Sequence, residues 1–116
     1  GAGGDRDRAK RPLMGRAACE IADLTIITSD NPRSEDPGQI IEDVLSGVPE
    51  GSQVKVESDR SEAIRMAIEM AETGDTIVIA GKGHEQGQEF EDGRKIAFDD
   101  RGVARQHLRQ RTGATR

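Results

Sequence analysis

Asn31, Arg33 and Glu85 are the side chains of this 116-residue sequence best suited to chemistry on a small ligand. Asn31 and Arg33 sit in Asp30-Asn31-Pro32-Arg33, directly after the apolar run Leu24 to Ile27. Arginine offers a planar fork that matches a carboxylate or phosphate in a bidentate way. Asparagine offers a donor and an acceptor together. Pro32 locks its own φ and biases Asn31 toward extended geometry, so Arg33 is aimed by a stiff turn. The alternative is a plain surface turn with Arg33 solvated. Glu85 closes Gly81-Lys82-Gly83-His84-Glu85, at the end of a second apolar run. Its carboxylate can accept hydrogen bonds from an ammonium, and the glycines let a ligand reach the backbone.

A third loop opens the chain. Gly1-Ala2-Gly3-Gly4-Asp5-Arg6 reads as the turn that follows a strand, although no strand precedes it. It brings Arg6 to the same edge. Arginines on one side and a carboxylate on the other suit a zwitterion better than a polyphosphate, and an amino acid is the simplest such ligand. The Gly81 loop is not a phosphate-binding P-loop, because Gly83 rather than Ser or Thr follows Lys82. Nor is it a dinucleotide fingerprint, because Gln86 stands where the third glycine should be. His84 and His107 are far apart and no cysteine pair exists, so the spacing gives no metal site.

Helices and strands must hold these loops. Pro12 suits the first residue of a helix whose apolar face is Leu13, Met14, Ala17, Ala18, Ile21 and Ala22. After the Leu24 to Ile27 strand, Asp36 and Pro37 start a second helix with Ile40, Ile41, Val44 and Leu45 inward. Gln53 to Glu57 alternates like a short strand. Asp59 or Ser61 caps a helix with Ala63, Ile64, Ala67, Ile68 and Ala71 on its core face. Thr76 to Ala80 is continuously apolar and reads as a strand buried on both faces. Asp92-Gly93 predicts a hairpin between Gln88–Phe90 and Arg94–Phe98, and Asp99 caps a last helix. The fold class is therefore α/β: a Rossmann-like, mostly parallel sheet with flanking helices and a C-terminal β-hairpin, apparently lacking its first strand.

Composition limits the rest. Apolar residues make up 33%, with two Phe and no Tyr or Trp, so a single thin aliphatic core is expected. The net charge of -5 argues against a general nucleic-acid binder, although basic residues gather at both ends. Cys19 is the only cysteine, which excludes an internal disulfide and fits a reducing compartment. No apolar run approaches a membrane span and no signal peptide is visible.

The loops together resemble a known family. Gly3-Gly4-Asp5-Arg6-Asp7 with Lys10-Arg11-Pro12-Leu13-Met14-Gly15, Thr28 to Pro37, Gly81 to Glu85 and Asp99-Asp100-Arg101 are similar, in order, to the C-terminal domain of the Mur ligases. Within that family the likeness is to the type adding the third residue of the peptidoglycan peptide. The resemblance implies an ATP-dependent amide ligase acting on UDP-N-acetylmuramoyl-L-alanyl-D-glutamate through an acyl phosphate, with meso-diaminopimelate as incoming amine. It implies a meso-diaminopimelate site of Arg6, Asp30, Asn31, Pro32, Arg33, Gly81 and Glu85, in which Arg6, Asn31 and Arg33 hold the distal carboxylate and Gly81, by its backbone, and Glu85 hold the distal amino group. A side chain ending in a bare ammonium, as in lysine, leaves Arg33 unpaired.

The same resemblance implies that residues 1–116 are the amino-acid-binding domain, truncated at its N-terminus, without the nucleotide-substrate and central ATPase domains. ATP and Mg2+ are then expected mainly on the central domain and none on this chain alone. It implies no catalytic residue and no metal ligand here, an inert fragment and a bacterial cytoplasmic location. The missing strand would expose backbone edges, so self-association is expected, and charge and hydropathy give no nucleic-acid or membrane partner. Two other readings share the loops: a stand-alone amino-acid-binding or regulatory module, and a nucleotide-binding α/β domain gripping phosphate at Gly81 to Gly87.

Overall fold

The computed structural model describes residues 1–81 and 87–113. Its elements are α1 (Lys10–Ile21), β1 (Thr25–Ile27), α2 (Pro37–Leu45), β2 (Val54–Val56), α3 (Arg60–Met70), β3 (Gly87–Glu89), β4 (Lys95–Ala97) and α4 (Asp100–Thr112). The chain is α/β, as expected. Asp36, Asp59 and Asp99 cap α2, α3 and α4, each accepting from a backbone N–H in the first turn. Pro37 occupies the first turn of α2.

β1 and β2 pair in parallel, with Thr25 opposite Val54 and Ile27 opposite Val56. Just beyond β1, Ala2 bridges in parallel to Ser29. Ala2, Ile27, Ile40, Ile41 and Val44 form the core, with Leu45, Val48 and Val54 packed against it. α3 packs on α4 and contributes buried Ala63, Ile64 and Ile68. β3 and β4 form the expected hairpin, with Gln88 opposite Ile96 and Glu89 opposite Lys95. A 3-10 turn at Glu91–Gly93 joins them.

Two expectations need correction. Thr76–Ala80 forms no ladder, and it is not buried: Ile77 is 39% and Val78 81% exposed. A strand exists only where a neighbour pairs with its backbone. β1 pairs with β2, and among the described residues no strand pairs with this run, so its apolar composition alone does not make it a ladder. The apolar face of α1 is also largely outside, with Leu13 64% and Ile21 87% exposed. α1 instead meets α2 through Gly15 and Arg11. A Cβ on Gly15 would overlap the Val44 carbonyl, so glycine sets the close approach of the two helices.

Candidate functional site

The opening glycine loop and the turn after β1 are interleaved. Gly4 N–H donates to the Asn31 carbonyl at 2.6 Å, and a Cβ on Gly4 would overlap the Pro32 carbonyl. Asn31 and Pro32 are buried in this contact. The Ser34 hydroxyl donates to Asp5 at 2.6 Å, which holds the Asp5 carboxyl below its ordinary range. Asp5 and Arg33 both adopt left-handed backbone, with φ of 54° and 53°. Such geometry costs a non-glycine residue about 1–2 kcal/mol and persists only where surroundings impose it.

Behind the loops stands a charged cluster. The Arg11 side chain is 1% exposed and pairs with Glu35, with Asp43 at 2.9 Å and with the Gly3 carbonyl at 3.0 Å. Glu35 also accepts from the Asp5 N–H at 2.9 Å. The Arg11 guanidinium first, and then that N–H, hold the Glu35 carboxyl below its ordinary range. Arg11 thereby ties α1, α2, the glycine loop and the turn after β1 into one unit.

Arg33 lies at the meeting point. Its Nε donates to Glu89 Oε1 at 2.8 Å, and its Nη1 to the Gly4 carbonyl at 2.8 Å. The expectation that Arg33 stands unpaired without a ligand carboxylate is therefore corrected: Glu89 already neutralises it. β3 is fastened to the turn by further bonds. Glu89 N–H donates to Asn31 Oδ1 at 2.9 Å, Arg33 N–H to the Glu89 carbonyl at 3.1 Å, and Gln88 Nε2 to the Asp30 carbonyl at 2.7 Å.

Of the residues singled out in the sequence, Arg33 and Arg6 meet at Gly3, Asn31 and Pro32 pack on Gly4, and Gly81 lies beside Asp30. The position of a Cβ on Gly3 is 3.0 Å from Arg33 Nη1 and 3.6 Å from Arg6 Cγ, so the two arginines flank Gly3. A Cβ on Gly81 would lie 3.7 Å from Asp30 Oδ2. Arg6 is exposed, with Nη1 on the Asp5 carbonyl at 3.2 Å. Glu85, Lys82 and His84 lie outside the described residues. Among the described residues no group of three or more His, Cys, Asp or Glu side chains is placed to hold a metal. No helix among them is long and apolar enough to cross a membrane.

Sequence reasoning missed Glu89, Gln88, Glu35 and Arg11. Glu89 and Gln88 sit in the hairpin that Asp92-Gly93 predicts, but nothing in its sequence says which segment it packs against. Arg11 reads as one more member of a basic stretch, and only its burial distinguishes it.

Comparison with known proteins adds a family. The model of the family described as Mur ligase, glutamate ligase domain, matches residues 1–83. The chain is 56% identical over 114 residues to the UDP-N-acetylmuramoyl-L-alanyl-D-glutamate--2,6-diaminopimelate ligase of Synechococcus elongatus, covering 98% of this chain and 23% of that protein. It is 55% identical over 108 residues to the protein of the same name from Aquifex aeolicus, covering 93% and 22%. A solved structure of a protein of that name aligns with a TM-score of 0.89 and 48% identity, over 95% of this chain and 23% of that one. The chain thus spans less than a quarter of the length of these relatives.

Proposed function

Because the chain belongs to the Mur ligase family through its glutamate ligase domain, we propose that it is the domain that receives meso-diaminopimelate in a longer peptidoglycan ligase. That ligase joins the diamino acid to UDP-N-acetylmuramoyl-L-alanyl-D-glutamate. The names of relatives more than half identical to this chain support the substrate pair. The observation that carries the reading is the seating of Arg33 against the glycine loop, with Arg6 beside it.

The division of labour follows from charge. Arg33 and Arg6 receive the distal carboxylate. Asp30, Asn31 and Pro32 fix the backbone that aims Arg33. Gly81, through its backbone, and Glu85 receive the distal ammonium. Holding that end leaves the amine of the opposite centre to attack the acyl phosphate of the D-glutamyl carboxylate. This is positioning, and its value lies in presenting one amine in one orientation. ATP with Mg2+ would supply the phosphoryl group that activates that carboxylate, ADP leaving then and inorganic phosphate leaving when the amine attacks. The described residues offer no metal cluster, and the sequence has no P-loop. Nucleotide and metal are assigned mainly to the remainder of the ligase, as the family resemblance implies. A need for ATP and a UDP-linked substrate places such an enzyme in the cytoplasm. The stand-alone module is less well supported, since these relatives carry the domain as part of a protein several times longer.

The test is amide formation by the full-length ligase with meso-diaminopimelate or L-lysine as the amine. Wild type is expected to use diaminopimelate efficiently and lysine only weakly. Arg33→Ala is expected to lower kcat/KM for diaminopimelate roughly a hundred-fold, the scale of charge-assisted bonds lost from a polar site. An Arg33→Ala enzyme with unchanged preference would refute the assignment.

A further inference from the structure

The hairpin belongs to the amino-acid site as much as the two loops do. Arginine has five N–H donors in a rigid fork. In Arg33 one is held on each flank, Nε by Glu89 and Nη1 by Gly4. These acceptors come from different segments and leave the guanidinium plane little freedom to turn. Nη2 has no acceptor among the described residues. The end of the fork that remains for a ligand is therefore fixed in direction before any ligand arrives.

Glu89 is built for this. Its backbone is latched twice, by its own N–H on Asn31 Oδ1 and by its carbonyl accepting from Arg33 N–H. Its Oε2 faces Lys95 Nζ across the hairpin at 3.9 Å. The carboxylate that orients Arg33 is itself oriented by both strands.

We propose that Glu89 is a positioning residue for amino-acid selectivity, directing the free Nη2 end of Arg33 toward the distal carboxylate of the diamino acid; this rests on the function proposed above. Glu89 acts through Arg33 and does not touch the ligand. Its contribution is to binding alone. Loss of binding that is equal in ground and transition states raises KM and leaves kcat unchanged. Lysine presents no distal carboxylate to Nη2, so its weak turnover does not depend on Glu89.

The experiment is steady-state kinetics of the full-length ligase with each amine, for Glu89→Ala, Glu89→Gln, Arg33→Ala and the double variant Glu89→Ala/Arg33→Ala. Glu89→Ala is expected to raise KM for meso-diaminopimelate roughly ten-fold, the scale of one charge-assisted hydrogen bond, with kcat nearly unchanged. Glu89→Gln keeps an oxygen for Nε and is expected to stay near wild type. In the Arg33→Ala background, removal of Glu89 is expected to add nothing, because coupled residues are not additive. Should Glu89→Ala fail to fold, Glu89→Asp withdraws the carboxylate while keeping both backbone bonds, and a several-fold rise in KM is expected.

An unchanged KM in Glu89→Ala, a parallel fall of kcat with both amines, or full additivity with Arg33→Ala would each overturn the proposal. An enzyme that ignores diaminopimelate even as wild type would overturn the function itself, which separates the two failures.

Discussion

The guanidinium of Arg60 grips both oxygens of Asp100, Nε at 2.8 Å and Nη2 at 2.7 Å, with both side chains buried. The same group donates to the Ser29 carbonyl at 3.1 Å and the Ala80 carbonyl at 3.3 Å. One side chain at the start of α3 thus joins the start of α4 to the residues just before Asp30 and Gly81. Removing one partner of a buried pair strands the other charge. Asp100→Ala is expected to destabilise the chain by about 3–5 kcal/mol, read by urea denaturation. A loss within ~0.5 kcal/mol, the range of ordinary surface substitutions, would mean that Arg60 is hydrated rather than locked.

Arg33, the residue proposed to receive the ligand carboxylate, stands on a backbone its side chain does not favour, at φ 53°. Arg33→Gly and Arg33→Ala lose the same ion pair and the same donor to Gly4. They differ in the cost of left-handed backbone, which glycine escapes. Arg33→Gly is therefore expected to be more stable than Arg33→Ala by about 1 kcal/mol, with diaminopimelate selectivity lost in both. Equal stability would show that the turn relaxes to another conformation once the side chain is gone.

Much of this architecture was legible in the sequence because it is written in local signals. Asp36-Pro37, Asp59 and Asp99 mark helix starts by residue type alone, and each start is found there. The nearness of Arg6, Asn31 and Arg33 was legible from placing the opening loop and the turn after β1 at one edge, whereas Gly81 lies beside Asp30 without the strand expected before it. What could not be read depends on partners distant in the chain. Glu89 meets Arg33 across 56 positions and Asp100 meets Arg60 across 40, and nothing in either neighbourhood announces it. Thr76–Ala80 misled for the same reason: apolar composition fits a buried strand, but pairing is decided by whichever edge lies alongside.

Gly4 tests whether the site depends on close backbone contact as well as on charge. Its hydrogen lies where a methyl group would overlap the Pro32 carbonyl. Gly4→Ala is expected to push the glycine loop off the turn, at a cost of about 1–3 kcal/mol. Arg33 then loses the Gly4 carbonyl as acceptor. In the full-length ligase the KM for diaminopimelate should rise although no charged residue is altered. Wild-type stability and KM together would mean that the loops separate freely and that their interleaving is incidental.

The Arg11 cluster gives the fold an acid-sensitive joint. The Glu35 carboxyl is held below its ordinary value by Arg11 first and by the Asp5 N–H second. Asp43 is held low by Gln39 first and then by Arg11. A carboxyl depressed in the folded state binds fewer protons there than in the unfolded chain, so stability rises with pH across its titration. The contribution is fully present above the unfolded carboxyl range, near pH 4.5 for Glu35, and is lost as pH falls through the folded value. Glu35→Gln cannot titrate. Urea unfolding measured from pH 6 down to about pH 3 should show a shallower fall in stability for Glu35→Gln than for wild type, with the curves converging at the acid end. Parallel curves would mean that Glu35 is solvated and that Arg11 is held by Asp43 and the Gly3 carbonyl alone. Because Arg11 also anchors Gly3, the same acid step should loosen the glycine loop before the rest of the chain unfolds. Amide exchange at Gly4, whose N–H bonds Asn31, is the local readout of that order.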